Sequence, residues 1–247
     1  MNPRTAKVVS FSPTGTTRTA LQGIVSGVNP ENTDYIDITT PGCREQALQL
    51  KEDEMLVIGA PVYMGRVPAL LGDWLNRIAA ANTPAVCVVV YGNRAYENAL
   101  LELTDIVRNR GCVPIAGAAF IGEHSFSNTE APTAQGRPDN SDLALAEQFG
   151  QKIREKLDAI SVLSELPVLE VPGSYPYAGV TKLWDVDFIE VDEQCTQCGI
   201  CADACPQGAI DSQDSARIDQ VKCITCCACI KICPQDARVM KPGPVMD

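Results

Sequence analysis

The sequence contains one histidine, His124, among its 247 residues. Catalysis of the Ser-His-Asp or Cys-His type needs a histidine base beside its nucleophile. We find no such constellation around His124 and therefore exclude these mechanisms. A structural role is the simpler expectation, although its position after a predicted strand also places it near that end of the predicted sheet.

Long hydrophobic runs are absent too. The longest nearly apolar stretches, 84–92 and 113–122, reach about half of the roughly 20 residues that span a bilayer. The first seven residues lead into an alternating, strand-like run instead of the apolar core of a secretory signal. We therefore expect no membrane insertion and a cytoplasmic protein.

Positive charge is scarce. Twenty Lys and Arg residues stand against 31 Asp and Glu, which gives a formal net charge of -11. A charge of this sign opposes binding to nucleic acid, so we expect no nucleic-acid partner. Residues 185–220 carry nine acidic side chains and one basic one, which predicts an acidic face suited to redox partners with basic docking surfaces.

Cysteine, in contrast, is abundant and clustered. Nine of the 12 cysteines fall between Cys195 and Cys233, and the others are Cys43, Cys87 and Cys112. In a reducing compartment such a cluster indicates metal or redox chemistry rather than disulfides. The three isolated cysteines are expected to be ordinary buried or surface thiols.

The first two thirds of the chain alternate strand-like and helix-like segments. The predicted strands are 6–11, 35–38, 55–60, 85–91 and 113–121, and the predicted helices are 15–28, 43–51, 68–80, 95–110 and 142–160. This alternation predicts an α/β fold, a doubly wound parallel sheet covered by helices on both faces.

The C-terminal region contains an internal repeat with an offset of 28 residues. Each copy has the pattern C-x2-C-x2-C-x3-C-P, in which three thiolates serve one four-iron cluster and the fourth serves the other. Cluster I is therefore predicted to take Cys195, Cys198, Cys201 and Cys233, and cluster II Cys205, Cys223, Cys226 and Cys229. Zinc binding by C-x2-C pairs is the alternative, but zinc sites do not use two overlapping sets of four. Cys227 lies off the spacing and is expected to be a packed thiol.

These two motifs, prolines included, resemble a bacterial-type two-cluster 4Fe-4S ferredoxin. The resemblance covers residues 187–240. It implies a small α+β domain with a pseudo-two-fold repeat.

Directly after the first predicted strand lies the segment Ser12-Pro13-Thr14-Gly15-Thr16-Thr17. Hydroxyls and backbone N–H groups at a helix N-terminus are able to hold a phosphate without a cation. Taken alone, the segment favours a plain capped helix over a phosphate site.

The same segment resembles the phosphate loop of flavodoxins, and the loops after the third and fourth strands resemble the loops that flank the flavin ring in that family. The resemblance implies bound FMN and a sheet of order 2-1-3-4-5, with Tyr63 and Tyr96 stacked on the ring. The implied FMN-binding residues are Ser12, Pro13, Thr14, Gly15, Thr16, Thr17, Pro61, Val62, Tyr63, Met64, Gly65, Arg66, Tyr91, Gly92, Asn93, Arg94 and Tyr96. Arg66 and Arg94 beside the ring would favour an anionic, two-electron-reduced flavin.

Four further segments are the G-x-P-V-Y-x-G-R-V-P stretch at 59–68, Gly122-Glu123-His124-Ser125, Gly136-Arg137-Pro138 and Pro172-Gly173. With them, the chain as a whole resembles the flavodoxin-ferredoxin fusion family. The expected division is a flavodoxin-like FMN domain at 1–162, a Pro/Gly/Tyr-rich linker at 163–184 and a two-cluster ferredoxin domain at 185–247. We expect an electron-transfer protein that links one-electron and two-electron partners through FMN and two 4Fe-4S clusters. The alternative is an FMN-dependent reductase of a quinone or flavin fed by the clusters, which requires an open pocket above the ring.

Overall fold

The computed structural model describes residues 3–179 and 187–241. The strands are β1 (Thr5–Ser10), β2 (Asn32–Asp37), β3 (Glu54–Pro61), β4 (Thr83–Tyr91), β5 (Cys112–Ile121), β6 (Ile189–Val191) and β7 (Arg238–Met240). The α-helices are α1 (Thr16–Val28), α2 (Gly72–Leu75), α3 (Ala99–Asn109), α4 (Asn140–Ala159), α5 (Ile200–Asp203) and α6 (Ala228–Lys231). No helix within these described ranges is long and apolar enough to cross a membrane.

The first five strands form one parallel sheet of order β2-β1-β3-β4-β5, as predicted. The central strands β3 and β4 are buried almost throughout, because a parallel sheet with helices on both faces is hidden from solvent. Their carboxyl ends meet at one edge, where the order reverses between β1 and β3.

Two apolar cores lie on opposite faces of this sheet. On one face α1 and α4 pack together so closely that a Cβ at Gly27 would lie 1.9 Å from the carbonyl oxygen of Glu147. On the other face Trp74, Leu75 and Leu103 fill the core beneath α2 and α3. These layers fix the positions of the loops at the carboxyl edge.

The predicted helix at 43–51 is wrong, and the predicted helix at 68–80 is largely wrong. A 3-10 turn covers Pro41–Arg44, after which Gln49 pairs with Ala79 in an isolated bridge. The backbone N–H of Leu50 donates to the carbonyl of Ala79, and that of Ala79 donates to the carbonyl of Leu48. These bonds hold the two segments extended, so regular helix in the second one is confined to α2.

Of the predicted linker 163–184, the structure describes residues 163–179, and 180–184 lie outside the described residues. Up to that point the segment lies along α3. Asn98 Nδ2 donates to the carbonyl of Ala178, and the Tyr177 hydroxyl donates to Asp105 at 2.8 Å. Its described part is therefore fastened to the first domain.

The C-terminal region pairs β6 with β7 in an antiparallel ribbon and carries the short helices α5 and α6. Its internal repeat is visible in the backbone. Residues with positive φ recur 28 positions apart, at Gln197 and Thr225, at Gly199 and Cys227, and at Gly208 and Asp236. The two copies of the cysteine motif therefore fold into equivalent turns.

Candidate functional site

A cleft opens at the carboxyl edge of the sheet. It is lined by residues after β1, β3, β4 and β5 and by two residues of the C-terminal region, Ile224 and Thr225. Thirteen of the 17 predicted FMN-binding residues line it: Ser12, Pro13, Thr14, Thr16, Thr17, Pro61, Val62, Tyr63, Met64, Gly65, Tyr91, Gly92 and Arg94. Gly15 lines an adjoining pocket.

The loop before α1 has the geometry of an anion site. The Ser12 N–H donates to Thr39 Oγ1 at 2.9 Å, while the Ser12 hydroxyl oxygen accepts from Arg18 N at 3.1 Å. Gly15 has φ of 88°, a value that glycine adopts without strain. Thr17 Oγ1 is buried and has no hydrogen-bond partner among the described residues. A phosphate at the start of α1 would satisfy this hydroxyl, so the loop fits the phosphate of FMN.

The loop after β3 is a tight turn. The backbone N–H of Tyr63 donates to the carbonyl of Arg66, and the reverse bond is also present, each at 3.0 Å. Met64 and Gly65 between them have positive φ. Burial, and then the neighbouring thiols of Cys226 and Cys227, raise the pKa of Tyr63 well above its ordinary value. Tyr63 therefore stands between the cleft and the cysteine-rich region.

Arg66 does not line the cleft as expected. Its guanidinium donates from Nε and Nη2 to the two carboxylate oxygens of Glu102, at 2.8 and 2.7 Å, and it lies over the Tyr177 ring. Glu102 also accepts from the N–H of Val67. Glu102 neutralises the charge of Arg66, and this mostly buried ion pair stabilises the turn.

In the loop after β4, Asn93 and Tyr96 likewise do not line the cleft. The Tyr96 ring lies edge-on to Tyr91 at 5.5 Å, so Tyr91 occupies the position at the cleft wall. Arg94 lines the cleft but pairs with Glu97 at 2.5 Å. Of the two arginines expected beside the ring, only Arg94 lines the cleft, and each is paired with a glutamate.

The loop after β5 was missing from the predicted site. Gly122, Glu123, His124, Ser125 and Phe126 all line the cleft. The main sequence signal was the position of this turn after a strand ending at the same edge.

His124 is held closely within this loop. Its Nδ1 accepts from the N–H of Phe126 at 3.1 Å, which assigns the proton of the neutral ring to Nε2. Burial, and then the charge of Arg94, lower its pKa. A Cβ at Gly92 would lie 2.2 Å from His124 Cδ2, so only glycine fits there.

The C-terminal region is joined to this edge by side chains. Lys231 of α6 donates to Glu123 Oε1 at 2.6 Å and to the carbonyl of Ser127 at 2.9 Å. Phe126 packs on Phe188 with ring centroids 5.0 Å apart. On another side, Arg44 Nη2 donates to the carbonyl of Pro206 at 2.6 Å.

The eight motif cysteines gather around two separate cavities. Cys195, Cys198, Cys201 and Cys233 line one, and Cys205, Cys223, Cys226 and Cys229 line the other. Each set contains three cysteines of one motif and the fourth of the other, which is the predicted cross-pairing. Among the described residues, no three His, Cys, Asp or Glu side chains are close enough to hold a single metal ion. Two sets of four thiolates that share their motifs fit two cubanes, each of which takes one thiolate at each iron.

The remaining cysteines are packed or peripheral. Cys227 is buried beside Phe188 and Ile189, and its Sγ contacts the carbonyl of Thr225. Burial raises the pKa of both Cys87 and Cys112 to about 12, whereas Cys43 is exposed. All four agree with the expectation of ordinary thiols.

Two regions of the chain match models of known protein families. Residues 12–126 match the family model of NADPH-dependent FMN reductases, and residues 194–242 match that of the 4Fe-4S dicluster domain. A flavodoxin from the domain Archaea is 15% identical, with a TM-score of 0.42, over 62% of this chain and 99% of that chain. Oxidised flavodoxin 1 from Bacillus cereus is 18% identical, with a TM-score of 0.41, over 64% and 98%. The strand order, rather than these overall similarities, carries the fold assignment.

Curated relatives match shorter parts of the chain, between 17% and 29% of its length. One component of an ion-translocating oxidoreductase complex from Methanosarcina acetivorans is 50% identical over 44 residues, 17% of each chain. A probable iron-sulfur protein of the Frd operon from Proteus vulgaris is 36% identical over 72 residues, 29% of this chain and 45% of that protein. The chain thus spans less than half the length of these relatives. Residues 12–126 are therefore similar to FMN reductases, in agreement with the flavodoxin-like strand order, and residues 194–242 are similar to 4Fe-4S dicluster domains.

Proposed function

We propose that this protein transfers electrons between FMN, held in the cleft, and two 4Fe-4S clusters, held by the two cysteine sets. FMN exchanges one or two electrons and each cluster exchanges one, so the combination links one-electron and two-electron partners. The observation that carries the proposal is that the same two residues line both the cleft and the cavity of the second cysteine set. Ile224 and Thr225, which line the cleft, lie between the cysteines Cys223 and Cys226 of the second set.

The residues of the chain have distinct tasks in this function. The loop before α1 binds the phosphate, and Tyr63, Tyr91 and His124 shape the cavity around the ring. Ile224 and Thr225 exclude water from the side that faces the second cysteine set. Lys231 holds the C-terminal region against the loop after β5 through its ion pair with Glu123.

Partner docking is proposed at the other cysteine set. Cys198 is exposed, and around its set Asp192, Glu193, Asp203 and Asp214 are exposed as well. An acidic surface of this kind steers a basic partner by long-range attraction that salt screens. Association with a basic redox partner should therefore slow steeply with rising ionic strength, and a salt-independent rate would remove this part of the proposal.

The proposal is tested by loading and then by kinetics. Anaerobically purified protein should contain one FMN and about eight irons per chain. After rapid one-electron reduction of the clusters, flavin absorbance should bleach with a first-order rate that is independent of protein concentration. A rate proportional to concentration, or protein lacking either cofactor after reconstitution, would refute a relay within one chain.

A matched pair of lysine variants tests the contact between the domains. Lys231→Gln removes the bond to Glu123, and the bleaching rate should fall at least several-fold. Lys241→Gln is the control, because Lys241 is equally exposed but pairs with Asp187 inside the C-terminal region. Equal rates for the two variants would show that the contact does not position the cofactors.

The FMN reductase family match supports a second candidate, an NADPH-dependent reductase of a small acceptor. Turnover of NADPH with a flavin or quinone by the loaded protein would favour this candidate. A carrier should instead reduce only proteins.

A further inference from the structure

Arg238, the first residue of β7, is a buried cation without a carboxylate partner in the described part of the chain. Only 2% of its surface is exposed. Its Nη2 donates to the carbonyl of Ser215, while its Nη1 has no hydrogen-bond partner among the described residues. A buried charge left uncompensated costs several kcal/mol. A negative group is therefore needed beside Nη1.

The position of Arg238 indicates which group that is. Arg238 lines the cavity of the first cysteine set together with Cys195, Cys198, Cys201 and Cys233. A four-iron cluster bound by four thiolates has a net negative charge and gains one more with each electron. The cluster would thus be the counter-ion that the protein itself does not supply to Arg238.

The internal repeat provides a comparison within the same molecule. The residue 28 positions before Arg238 is Ile210, which is buried and lines the cavity of the second cysteine set. Equivalent positions of the two half-domains thus place a guanidinium beside one cluster and an apolar side chain beside the other. The two cluster environments differ in charge although their cysteine motifs are the same.

We propose that Arg238 sets the potential of cluster I, raising it above that of cluster II by stabilising the added electron. This inference rests on the proposed function, since it requires both clusters to be bound. The step is a one-electron reduction of cluster I, and the fixed charge of Arg238 compensates it without proton uptake. Reduction of cluster I would then be favoured over that of cluster II, so electrons that reach cluster II from the cleft would pass on toward the acidic face.

The field of Arg238 also reaches the second set. The charge of Arg238 acts on Cys229 of that set as well. Both potentials therefore have to be measured, and the proposal requires the larger change at cluster I.

The test is a redox titration of the loaded full-length protein followed by EPR. Arg238→Gln removes the charge, Arg238→Lys keeps it, and Arg217→Gln removes a charge from an exposed position of the same domain. The variant Cys223→Ser, which alters one cysteine of the second set, identifies the signal of cluster II. Iron and FMN contents are measured first, and failure of the wild-type protein to bind either cofactor is recognised as failure of the proposed function.

We expect Arg238→Gln to lower the equilibrium constant for reduction of cluster I at least tenfold, which for one electron is about 59 mV. The potential of cluster II should change less. Arg238→Lys and Arg217→Gln should both stay near the wild-type value. An unchanged cluster I potential in Arg238→Gln, or a larger shift at cluster II, would overturn the proposal.

Loss of iron from Arg238→Gln is also informative. If Arg238→Lys retains both clusters at wild-type potentials, the charge itself is required, as proposed. If Arg238→Lys loses iron to the same extent, the shape of the arginine is required instead of its charge, and the proposal fails.

Discussion

Thr17 offers a test in which binding and stability change in opposite directions. Its hydroxyl is buried at the start of α1 without a partner among the described residues. Thr83, at the start of β4, has a hydroxyl in the same condition but does not line the cleft. The substitutions Thr17→Val and Thr83→Val remove each hydroxyl while keeping the branched shape of the side chain, so they form a matched pair.

The expected magnitudes follow from the chemistry of an unpaired polar group. A buried hydroxyl without a partner costs about 1–3 kcal/mol, so both variants should have a higher free energy of unfolding when the protein is free of FMN. A hydrogen bond to a charged group contributes about 1.5–3 kcal/mol, so losing one to the FMN phosphate should weaken FMN binding about 10- to 150-fold. Only Thr17→Val should show this second effect.

Two measurements on each protein suffice. Denaturant unfolding of the flavin-free protein gives the stability, and quenching of flavin fluorescence on titration gives the FMN dissociation constant. Wild-type FMN affinity in Thr17→Val would refute the phosphate assignment. A loss of flavin-free stability in Thr17→Val, with a gain in Thr83→Val, would show that the Thr17 hydroxyl has a structural role.

Three further predictions concern the rest of the site. Gly92→Ala should weaken FMN binding at least tenfold because its Cβ would collide with His124, whereas Gly72→Ala, with open space around its Cβ, should bind FMN normally in the same fluorescence titration. Glu102→Gln should lower the free energy of unfolding by about 3 kcal/mol because it leaves the Arg66 charge buried, while Glu97→Gln, in a more exposed pair, should cost less than about 1 kcal/mol by denaturant unfolding. Hydrogen bonds from Lys231 and Gly136 outweigh burial and hold the pKa of Glu123 below its ordinary value of 4.5. The stability advantage of wild type over Glu123→Gln, about 1 kcal/mol or less, should thus be constant near neutral pH and disappear as the pH falls below 4.5, and a pH-independent difference would contradict this.

The alternation of strand-length apolar runs with helix-like segments predicted the sheet. Its central strands are continuous apolar runs because neighbouring strands and helices bury them. The five strands and their order are confirmed, with boundaries within about three residues of those expected. The helix predicted at 43–51 failed because the backbone of Leu48 and Leu50 bonds to Ala79, about 30 residues away. Backbone hydrogen bonds between segments so far apart in the chain produce no periodic pattern in the sequence of either segment.

The flavin loops show the same division between local and distant information. The segment 12–17 carries its own signature, and all but Gly15 of its residues line the main cleft. Arg66 was misplaced because its partner, Glu102, lies on α3, and the local pattern of the loop does not reveal a buried carboxylate there. Tyr96 was misplaced for a similar reason, since Tyr91 takes the position nearer the cleft.

The approach of the two domains was beyond sequence reasoning, because it depends on contacts between residues far apart in the chain. Lys231 and Glu123 are separated by 108 positions, and Arg44 and Pro206 by 162. The two contacts involve different copies of the repeat: Pro206 is the last residue of the first cysteine motif, and Lys231 lies within the second. Ile224 and Thr225 line the cleft, and they also line the cavity of the second cysteine set. The repeat alone would make the two cysteine sets equivalent, whereas this docking and Arg238 make their surroundings different, and the proposed order of electron transfer rests on that difference.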